Sequence, residues 1–159
     1  MNIDLSCINP IVKLTSPDQV GIVVEDAYAA AESFARILGA DPVEVLDWPA
    51  PGFDAESYYY DKPTKWKMRV GFFRIGNLEW ELIQPLEGQN IFADFLRDHG
   101  QGLHHIRFTE PQFDQHAQAL QAAGIPMISH GLGIHKVSHW AFFDTRALLA
   151  GYLLEMRKI

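Results

Sequence analysis

The same order of predicted secondary-structure elements occurs twice in this chain, and this repeat is the feature that most constrains its fold. Hydrophobic periodicity and turn signals predict a strand, a helix and three more strands in residues 17–98, and the same order again in residues 99–159. The chain has 159 residues, the length of one ordinary domain, so both halves are expected to share one core. We therefore predict an α+β fold of two βαβββ modules, preceded by an N-terminal extension at residues 1–16.

The predicted elements alternate with turns that contain glycine and proline. The first module is predicted to contain the helices Ala27–Leu38 and Ile91–His99 and the strands Gln19–Val24, Pro42–Leu46, Lys65–Ile75 and Leu78–Gln84. The second is predicted to contain the helix Gln112–Ala123 and the strands His104–Phe108, Pro126–Ser129, His139–Phe143 and Gly151–Arg157. The segment Asp47–Thr64, with three prolines and a run of tyrosines, is predicted to be an irregular loop that covers a site.

Charge and cysteine content exclude several classes of partner. The formal net charge is −7 and the pI is about 5.4, whereas proteins that bind nucleic acid or anionic membranes present a basic surface. The sequence has no long apolar run and no basic-then-apolar leader, so we expect neither a membrane span nor a signal peptide. A single cysteine, Cys7, rules out an intrachain disulfide. We expect a cytoplasmic location, with no nucleic-acid and no membrane partner.

Four polar residues occupy equivalent places in the two predicted modules. Gln19 opens the first strand of one module and His105 that of the other, while Glu81 and Glu155 lie in the two last strands. Each glutamate has apolar neighbours, and burying an unpaired carboxylate costs roughly several kcal/mol. A divalent cation shared by both carboxylates, the imidazole and the amide oxygen would remove this cost. The alternative is that both glutamates face solvent on amphipathic strands.

Two adjacent histidines follow a glycine-rich turn that starts at Gly100. Because successive side chains of a strand point to opposite faces, we expect one of His104 and His105 to join the core and the other to face a cavity. A neutral imidazole at a strand end is a good ligand for zinc, nickel or iron. A packed or surface histidine pair is the alternative.

Several segments of the chain together resemble one protein superfamily. They are Gln19–Asp26, Glu81–Leu86, Gly102–Ile106, Phe143–Thr145 and the terminal Leu154–Glu155. As a set they resemble the vicinal oxygen chelate superfamily, which includes glyoxalase I, methylmalonyl-CoA epimerase, extradiol dioxygenases and the bleomycin-resistance proteins. The resemblance covers roughly residues 17–157. It implies paired βαβββ modules whose mixed, largely antiparallel sheet curls around a central metal cup.

The resemblance also implies a ligand set, a metal and a substrate class. By position, the metal ligands are Gln19, Glu81, His105 and Glu155. The metal is expected to be zinc, nickel, cobalt or manganese, and the substrate a small-molecule carbonyl compound or thioester. A homodimer is expected as well, since members of the superfamily often dimerise.

The implied reaction is the movement of a proton next to a carbonyl that is held at the metal. The ligand set resembles that of some glyoxalase I enzymes, in which the last-strand glutamate is both ligand and base. The resemblance therefore implies Glu155 as the base and Glu81 as the group that reprotonates the other face. The predicted function is a metal-dependent lyase or isomerase of the glyoxalase type. Two alternatives stay open: an acyl-CoA epimerase like methylmalonyl-CoA epimerase, and a metal-free ligand-sequestering protein like the bleomycin-resistance members.

Arg107 is a candidate for binding the substrate. Alternation along the strand puts it on the same face as His105, and a guanidinium suits a carboxylate group. An ion pair with Glu79 or Glu155 explains the residue equally well, and the sequence does not decide between these roles.

Four other residues are candidates for substrate contacts. Lys65 and Arg69 share a predicted strand face with Lys67, which suits the phosphates of coenzyme A or is a solvated face. Tyr59 would close over the substrate as part of the tyrosine-rich loop, or serve only in lid or dimer packing. His139 would line the cup, or lie on the surface.

Overall fold

The computed structural model describes residues 9–41, 43–53, 56–133 and 137–159. The first part contains β1 (Gln19–Val23), α1 (Ala27–Leu38), β2 (Glu44–Trp48), the short strands β3 (Ser57–Tyr59) and β4 (Lys62–Pro63), β5 (Lys67–Ile75), β6 (Leu78–Glu87) and α2 (Ile91–His99). The second part contains β7 (Gly102–Thr109), α3 (Phe113–Ala122), β8 (Met127–Leu132), β9 (His139–Phe143) and β10 (Leu153–Lys158). Cys7, Pro42 and the first half of the predicted extension lie outside the described residues.

The strands of the described residues form one curled mixed sheet in the order β2-β5-β6-β1-β7-β10-β9-β8-β3-β4. In each half the first strand is parallel to the last one, β1 to β6 and β7 to β10. The two first strands, β1 and β7, pair antiparallel at the centre. The predicted α+β fold with a curled sheet is therefore confirmed, and the two halves are joined through their first strands.

One helix of each half packs on the outer face of the sheet. From α1, the ring of Phe34 lies 5.2 Å from that of Phe73 and 5.8 Å from that of Trp80, measured between centroids. From α3, Leu120 is buried in a second cluster with Phe143. Because alternate strand residues point outward into these two clusters, the remaining residues of the same strands face the inside of the curl.

Apolar side chains fill one end of the inside. Val23, Val70 and Ile83 are almost fully buried there against Ile91 and Phe92 of α2. Helix α2 therefore closes this end, and the polar residues of the central strands lie toward the other, open end.

A hairpin replaces part of the predicted irregular loop at Asp47–Thr64. Strands β3 and β4 pair with each other, and β3 also pairs antiparallel with β8, so the hairpin extends the sheet at its edge. The Ser129 hydroxyl donates to the Tyr58 carbonyl at 2.8 Å across this pairing. The prediction of a loop over these residues is wrong because aromatic residues, which suit a pleated surface, meet an unpaired strand edge that only the fold supplies.

We expect Asn90→Ala to lower the free energy of unfolding by about 2 kcal/mol. Asn90 is fully buried, and its side-chain oxygen accepts hydrogen bonds from the backbone of Phe92 at 3.0 Å and Ala93 at 2.8 Å. The substitution leaves these donors buried without a partner. Urea denaturation followed by circular dichroism measures the loss.

The matched control is Asp26→Ala, which removes the same kind of cap from the start of α1. Its acceptor contacts with Tyr28 and Ala29 are exposed, so water replaces them and a smaller loss is expected. An equal loss for both variants would contradict the importance of burial at Asn90.

Candidate metal centre

Gln19, Glu81, His105 and Glu155 lie on four adjacent strands at the centre of the sheet. Gly21 of β1 is aligned with Glu81 on one side and with His105 on the other. One step toward the open end, Gln19 is aligned with Arg107, which is in turn aligned with Glu155. Their side chains share the inner face because each is in register with the others across the ladder.

Three of these side chains converge on one point. The Nε2 atom of His105 lies 3.0 Å from Oε2 of Glu155 and 3.5 Å from Oε2 of Glu81. One potential ligand atom from each residue lies within 4.8 Å of the other two. The His105 side chain is fully buried, while those of Glu155 and Glu81 are 7% and 14% exposed. The sheet therefore holds two carboxylates and an imidazole together, away from bulk water.

Several polar atoms in this cluster and in the adjoining cavity lining have no hydrogen-bond partner within the described residues. They are Nε2 of His105, Oε2 of Glu155 and Oε1 of Gln19, all buried. The 3.0 Å contact between the first two lies outside the direction of a ring N–H bond. The amide nitrogen of Gln19 donates to Glu79 at 2.8 Å, which leaves its oxygen as the free atom. These unpaired nitrogen and oxygen atoms are potential metal ligands and fit a divalent cation. Gln19, Glu81, His105 and Glu155 are the residues that would hold it.

The electrostatics of the cluster also fit a cation. Burial lowers the pKa of His105, but the neighbouring carboxylates of Glu155 and Glu81 outweigh it and raise that pKa to about 9. Burial raises the pKa of Glu81. A proton on the imidazole and a divalent cation therefore compete for the same carboxylates.

Gly21 provides the space that the imidazole of His105 occupies. A Cβ atom at this position would lie 1.9 Å from Cε1 and 2.2 Å from Nε2 of the ring. No side chain other than hydrogen is compatible with the ring in this place. Gly21 was not among the predicted site residues, although a glycine inside a predicted strand is itself a signal of close approach.

His104 contacts the second nitrogen of the His105 ring. The two Nδ1 atoms lie 3.0 Å apart, and His104 also hydrogen-bonds to the backbone of Ile91. Burial, with the charge of His105, lowers the pKa of His104 well below its usual value, so this ring is neutral. With its own hydrogen directed to Ile91, it accepts from Nδ1 of His105, so that Nε2 is the nitrogen that would bind a cation once its proton is released.

The expectation that the two histidines point to opposite faces is wrong. The pairing of β7 with β1 skips His104, which makes a bulge between residues 103 and 105. Both rings consequently contact Phe92 of α2 and Phe142 of β9. The core places His104 behind His105, where it supports the ring.

A cavity of about 260 Å³ opens next to the cluster. Its walls on one side are apolar and come from β2, β5 and β9, with the residues Leu46, Trp48, Met68, Phe72 and Trp140. Its polar lining consists of Gln19, Glu79, Glu81, Arg107, Ser138, Glu155 and Arg157. The site thus combines a carboxylate pair with an apolar wall of a size that suits a short acyl group.

Arg107 lines the cavity, but other residues hold its guanidinium. Its Nε donates to Asp18 at 2.6 Å and one terminal nitrogen donates to Glu79 at 3.1 Å. Of the roles that the sequence left open, the ion pair with Glu79 is present, and Asp18 is a partner that sequence analysis missed. These bonds hold the Arg107 side chain in place in the lining of the cavity.

The other predicted substrate contacts lie away from the cavity. Arg69 faces outward, where it pairs with Asp47 at 3.0 Å and lies over the ring of Tyr28. Lys65 is exposed and precedes β5, so the predicted row of cations on one strand face does not form. The Tyr59 hydroxyl donates to Asp94 at 2.5 Å, and His139 is exposed. None of these four residues is among those that line the cavity beside the cluster.

The amino-acid sequence matches the model of one protein family over most of its length. The family model described as the glyoxalase/bleomycin resistance protein/dioxygenase superfamily matches residues 18–143. The chain belongs to this superfamily. Membership explains the paired modules and the central position of the polar cluster, and it leaves the substrate open, since members differ in activity.

Two curated relatives match parts of this superfamily member. It is 39% identical to the uncharacterized protein YqjC of Bacillus subtilis (strain 168) over 62 residues, which is 39% of this chain and 44% of the relative. It is 27% identical to mitochondrial methylmalonyl-CoA epimerase of Mus musculus over 99 residues, 62% of this chain and 47% of the relative. The chain thus matches about half the length of these relatives.

Solved structures share the fold of this superfamily member. A variant of Streptomyces coelicolor methylmalonyl-CoA epimerase in complex with 2-nitronate-propionyl-CoA superposes with a TM-score of 0.65, at 22% identity, and covers 92% of this chain and 95% of that chain. Methylmalonyl-CoA epimerase from Mycobacterium tuberculosis gives a TM-score of 0.64 at 20% identity, with 91% and 88% covered. None of the helices that the structure describes has the length and apolarity needed to cross a membrane.

We expect Gly21→Ala to weaken zinc binding at least about tenfold, because the added methyl group displaces the imidazole of His105. Competition with a chromogenic chelator at fixed pH measures the affinity. Gly71→Ala is the matched control, since a Cβ there meets the side chain of Val43 at 2.9 Å, on the outer face of β5. Unchanged zinc affinity in Gly21→Ala would contradict the proposed role of His105.

We expect zinc affinity to rise about tenfold per pH unit between about pH 6 and about pH 8. The pKa of His105 is raised to about 9, so without metal the ring holds a proton throughout this range. Binding must release that proton, and the raised pKa of Glu81 acts in the same direction. Calorimetry in two buffers of different ionisation enthalpy measures the proton release, and an affinity that is independent of pH would contradict the assignment.

Proposed function

We propose that the protein catalyses metal-dependent proton transfer at the carbon next to a thioester carbonyl, as in an acyl-CoA epimerase. One observation carries the proposal: Glu81 and Glu155 reach one buried point beside Nε2 of His105 from strands on either side of it. Two carboxylates that approach one centre from different strands are the arrangement that removal and return of a proton require.

The roles of the two carboxylates follow from their environments. Glu155 is proposed as the base, since its Oε2 is buried and has no hydrogen-bond partner among the described residues. Glu81 is proposed as the group that returns the proton to the opposite face, because β6 brings it to Nε2 of His105 from the side of the sheet opposite to β10. The lining contributed by β2 and β5 contains no carboxylate, so no other group on that wall competes for the role.

A divalent cation held by Gln19, Glu81, His105 and Glu155 would polarise the carbonyl and stabilise the negative charge that develops on it. The protein's own contribution is to position these side chains and to exclude water. Trp48, Met68 and Trp140 supply apolar surface around the acyl group, which strengthens electrostatic interactions in the cavity.

Two kinds of similarity support the epimerase over the glyoxalase-type lyase. The mouse relative and several structural relatives are named as methylmalonyl-CoA epimerases, and some bind thioesters or their analogues. The lyase is the second candidate because the set of one amide, two carboxylates and one imidazole resembles that of some glyoxalase I enzymes. The resemblance also predicts a homodimer, which analytical ultracentrifugation of the full chain tests.

We expect Glu155→Gln to keep the fold but to lower the exchange rate of the C2 proton of methylmalonyl-CoA by roughly 100-fold or more. The amide has the same shape as the carboxylate but takes up no proton. Mass spectrometry of the thioester after incubation with zinc-loaded protein in D₂O measures the exchange. A normal rate in this variant would show that Glu155 is not the base.

Glu87→Gln is the matched control, because Glu87 lies on β6 but pairs with Lys67 on the exposed surface. Its exchange rate is expected to equal that of the unmodified protein. Turnover of a hemithioacetal of a 2-oxoaldehyde, with no exchange on the thioester, would favour the lyase. Metal content below roughly a tenth of an equivalent after zinc, nickel, cobalt and manganese are offered would favour the metal-free sequestering protein.

A further inference from the structure

Arg157 faces the same cavity as the metal cluster, two residues beyond Glu155 on β10. Alternation puts both side chains on the inner face, and two strand residues span roughly 6.6 Å. Arg157 is in register with Thr109 of β7 on one side and with Trp140 of β9 on the other. The two side chains therefore leave the same strand face at backbone positions about the length of one short acyl chain apart.

Most of the hydrogen-bond donors of the Arg157 guanidinium have no partner among the described residues. Its Nε donates to Oγ1 of Thr109 at 3.2 Å. Its two terminal nitrogens have no hydrogen bond and no carboxylate partner within the part of the chain that the structure describes. Arg107, the other arginine of the cavity, differs because Asp18 and Glu79 already bind and neutralise it.

The wall around Arg157 is held in place by the backbone. The indole nitrogen of Trp140 donates to the carbonyl of Leu132 at 2.8 Å. Ser138 is buried, and its carbonyl accepts from the backbone of Gly133 at 2.8 Å, both at the same wall of the cavity. A guanidinium fixed at Nε beside a rigid indole presents its two terminal nitrogens as a planar pair of donors.

We propose that Arg157 binds a carboxylate on the acyl part of the substrate and is the residue that selects thioesters carrying this group. This inference rests on the proposed function, and it adds the residue that determines specificity for the acyl group. The free pair of donors matches both oxygens of a carboxylate. The phosphates of coenzyme A also match such a pair, but the pantetheine arm holds them much farther from the thioester than Arg157 lies from Glu155.

The test compares binding of two thioesters to zinc-loaded protein by calorimetry. The probes are methylmalonyl-CoA and 2-methylacetoacetyl-CoA, which carries an uncharged methyl ketone in place of the carboxylate. Both contain the same phosphates, so a difference between them reports on the acyl carboxylate alone. We expect Arg157→Gln to weaken binding of methylmalonyl-CoA roughly 10- to 100-fold and binding of 2-methylacetoacetyl-CoA less than about twofold.

Arg157→Lys, which keeps the charge but loses the paired donors, should fall between the unmodified protein and the glutamine variant. Arg69→Gln is the matched control, because Arg69 is a strand arginine on the outer face of the sheet. This variant should bind both thioesters with the affinities of the unmodified protein. Circular dichroism and zinc content verify that each variant is folded and loaded.

Equal affinities for both thioesters in the unmodified protein, or equal losses for both in Arg157→Gln, would overturn the assignment of Arg157. Equal losses would identify the coenzyme A phosphates as its ligand. Deuterium exchange in the unmodified protein separates this inference from the proposed function. If the protein exchanges the C2 proton but binds both thioesters equally, only the role of Arg157 is overturned. If it prefers methylmalonyl-CoA but exchanges no proton, only the proposed catalysis is overturned.

Discussion

The structure depends on the burial of two carboxylates against one imidazole at the centre of the sheet. Glu81 and Glu155 both approach Nε2 of His105, at 3.5 and 3.0 Å, in a place that water barely reaches. Bringing ionised groups to such a place costs roughly several kcal/mol each unless a positive charge compensates them. A proton on His105 supplies one charge and a divalent cation supplies two, so the cation neutralises the pair completely. A site of this kind therefore lowers fold stability as long as no positive charge compensates the two carboxylates.

The fold supports this cluster with residues that carry no charge of their own. Gly21 leaves room for the ring of His105, and the bulge at His104 brings a second, neutral imidazole behind it. Phe92 and Phe142 contact both rings and fix their planes. The orientation of His105 is thus set by backbone geometry and packing, as its proposed role as a metal ligand requires.

The two arginines of the cavity show how partners decide the role of identical side chains. Both lie on the inner face beside the glutamates, yet Arg107 is bound by Asp18 and Glu79 whereas Arg157 keeps two terminal nitrogens free of such bonds in the described structure. An arginine whose charge is already neutralised stabilises the site, and one whose donors are free attracts an anion. Residue type and predicted strand face were therefore insufficient to predict which cations line the cavity, since Arg69 faces outward and Lys65 is exposed before the start of β5.

The sequence alone determined the repeated order of elements and the placement of Gln19, Glu81, His105 and Glu155, because hydrophobic periodicity fixes which strand residues share a face. It also indicated the superfamily. The tertiary structure decided what periodicity does not encode: the bulge at His104, the pairing of β3 with the edge strand β8, and the partners of each arginine. These features depend on contacts between residues far apart in the chain, such as Asp18 with Arg107, and only the packed sheet brings such residues within bonding distance.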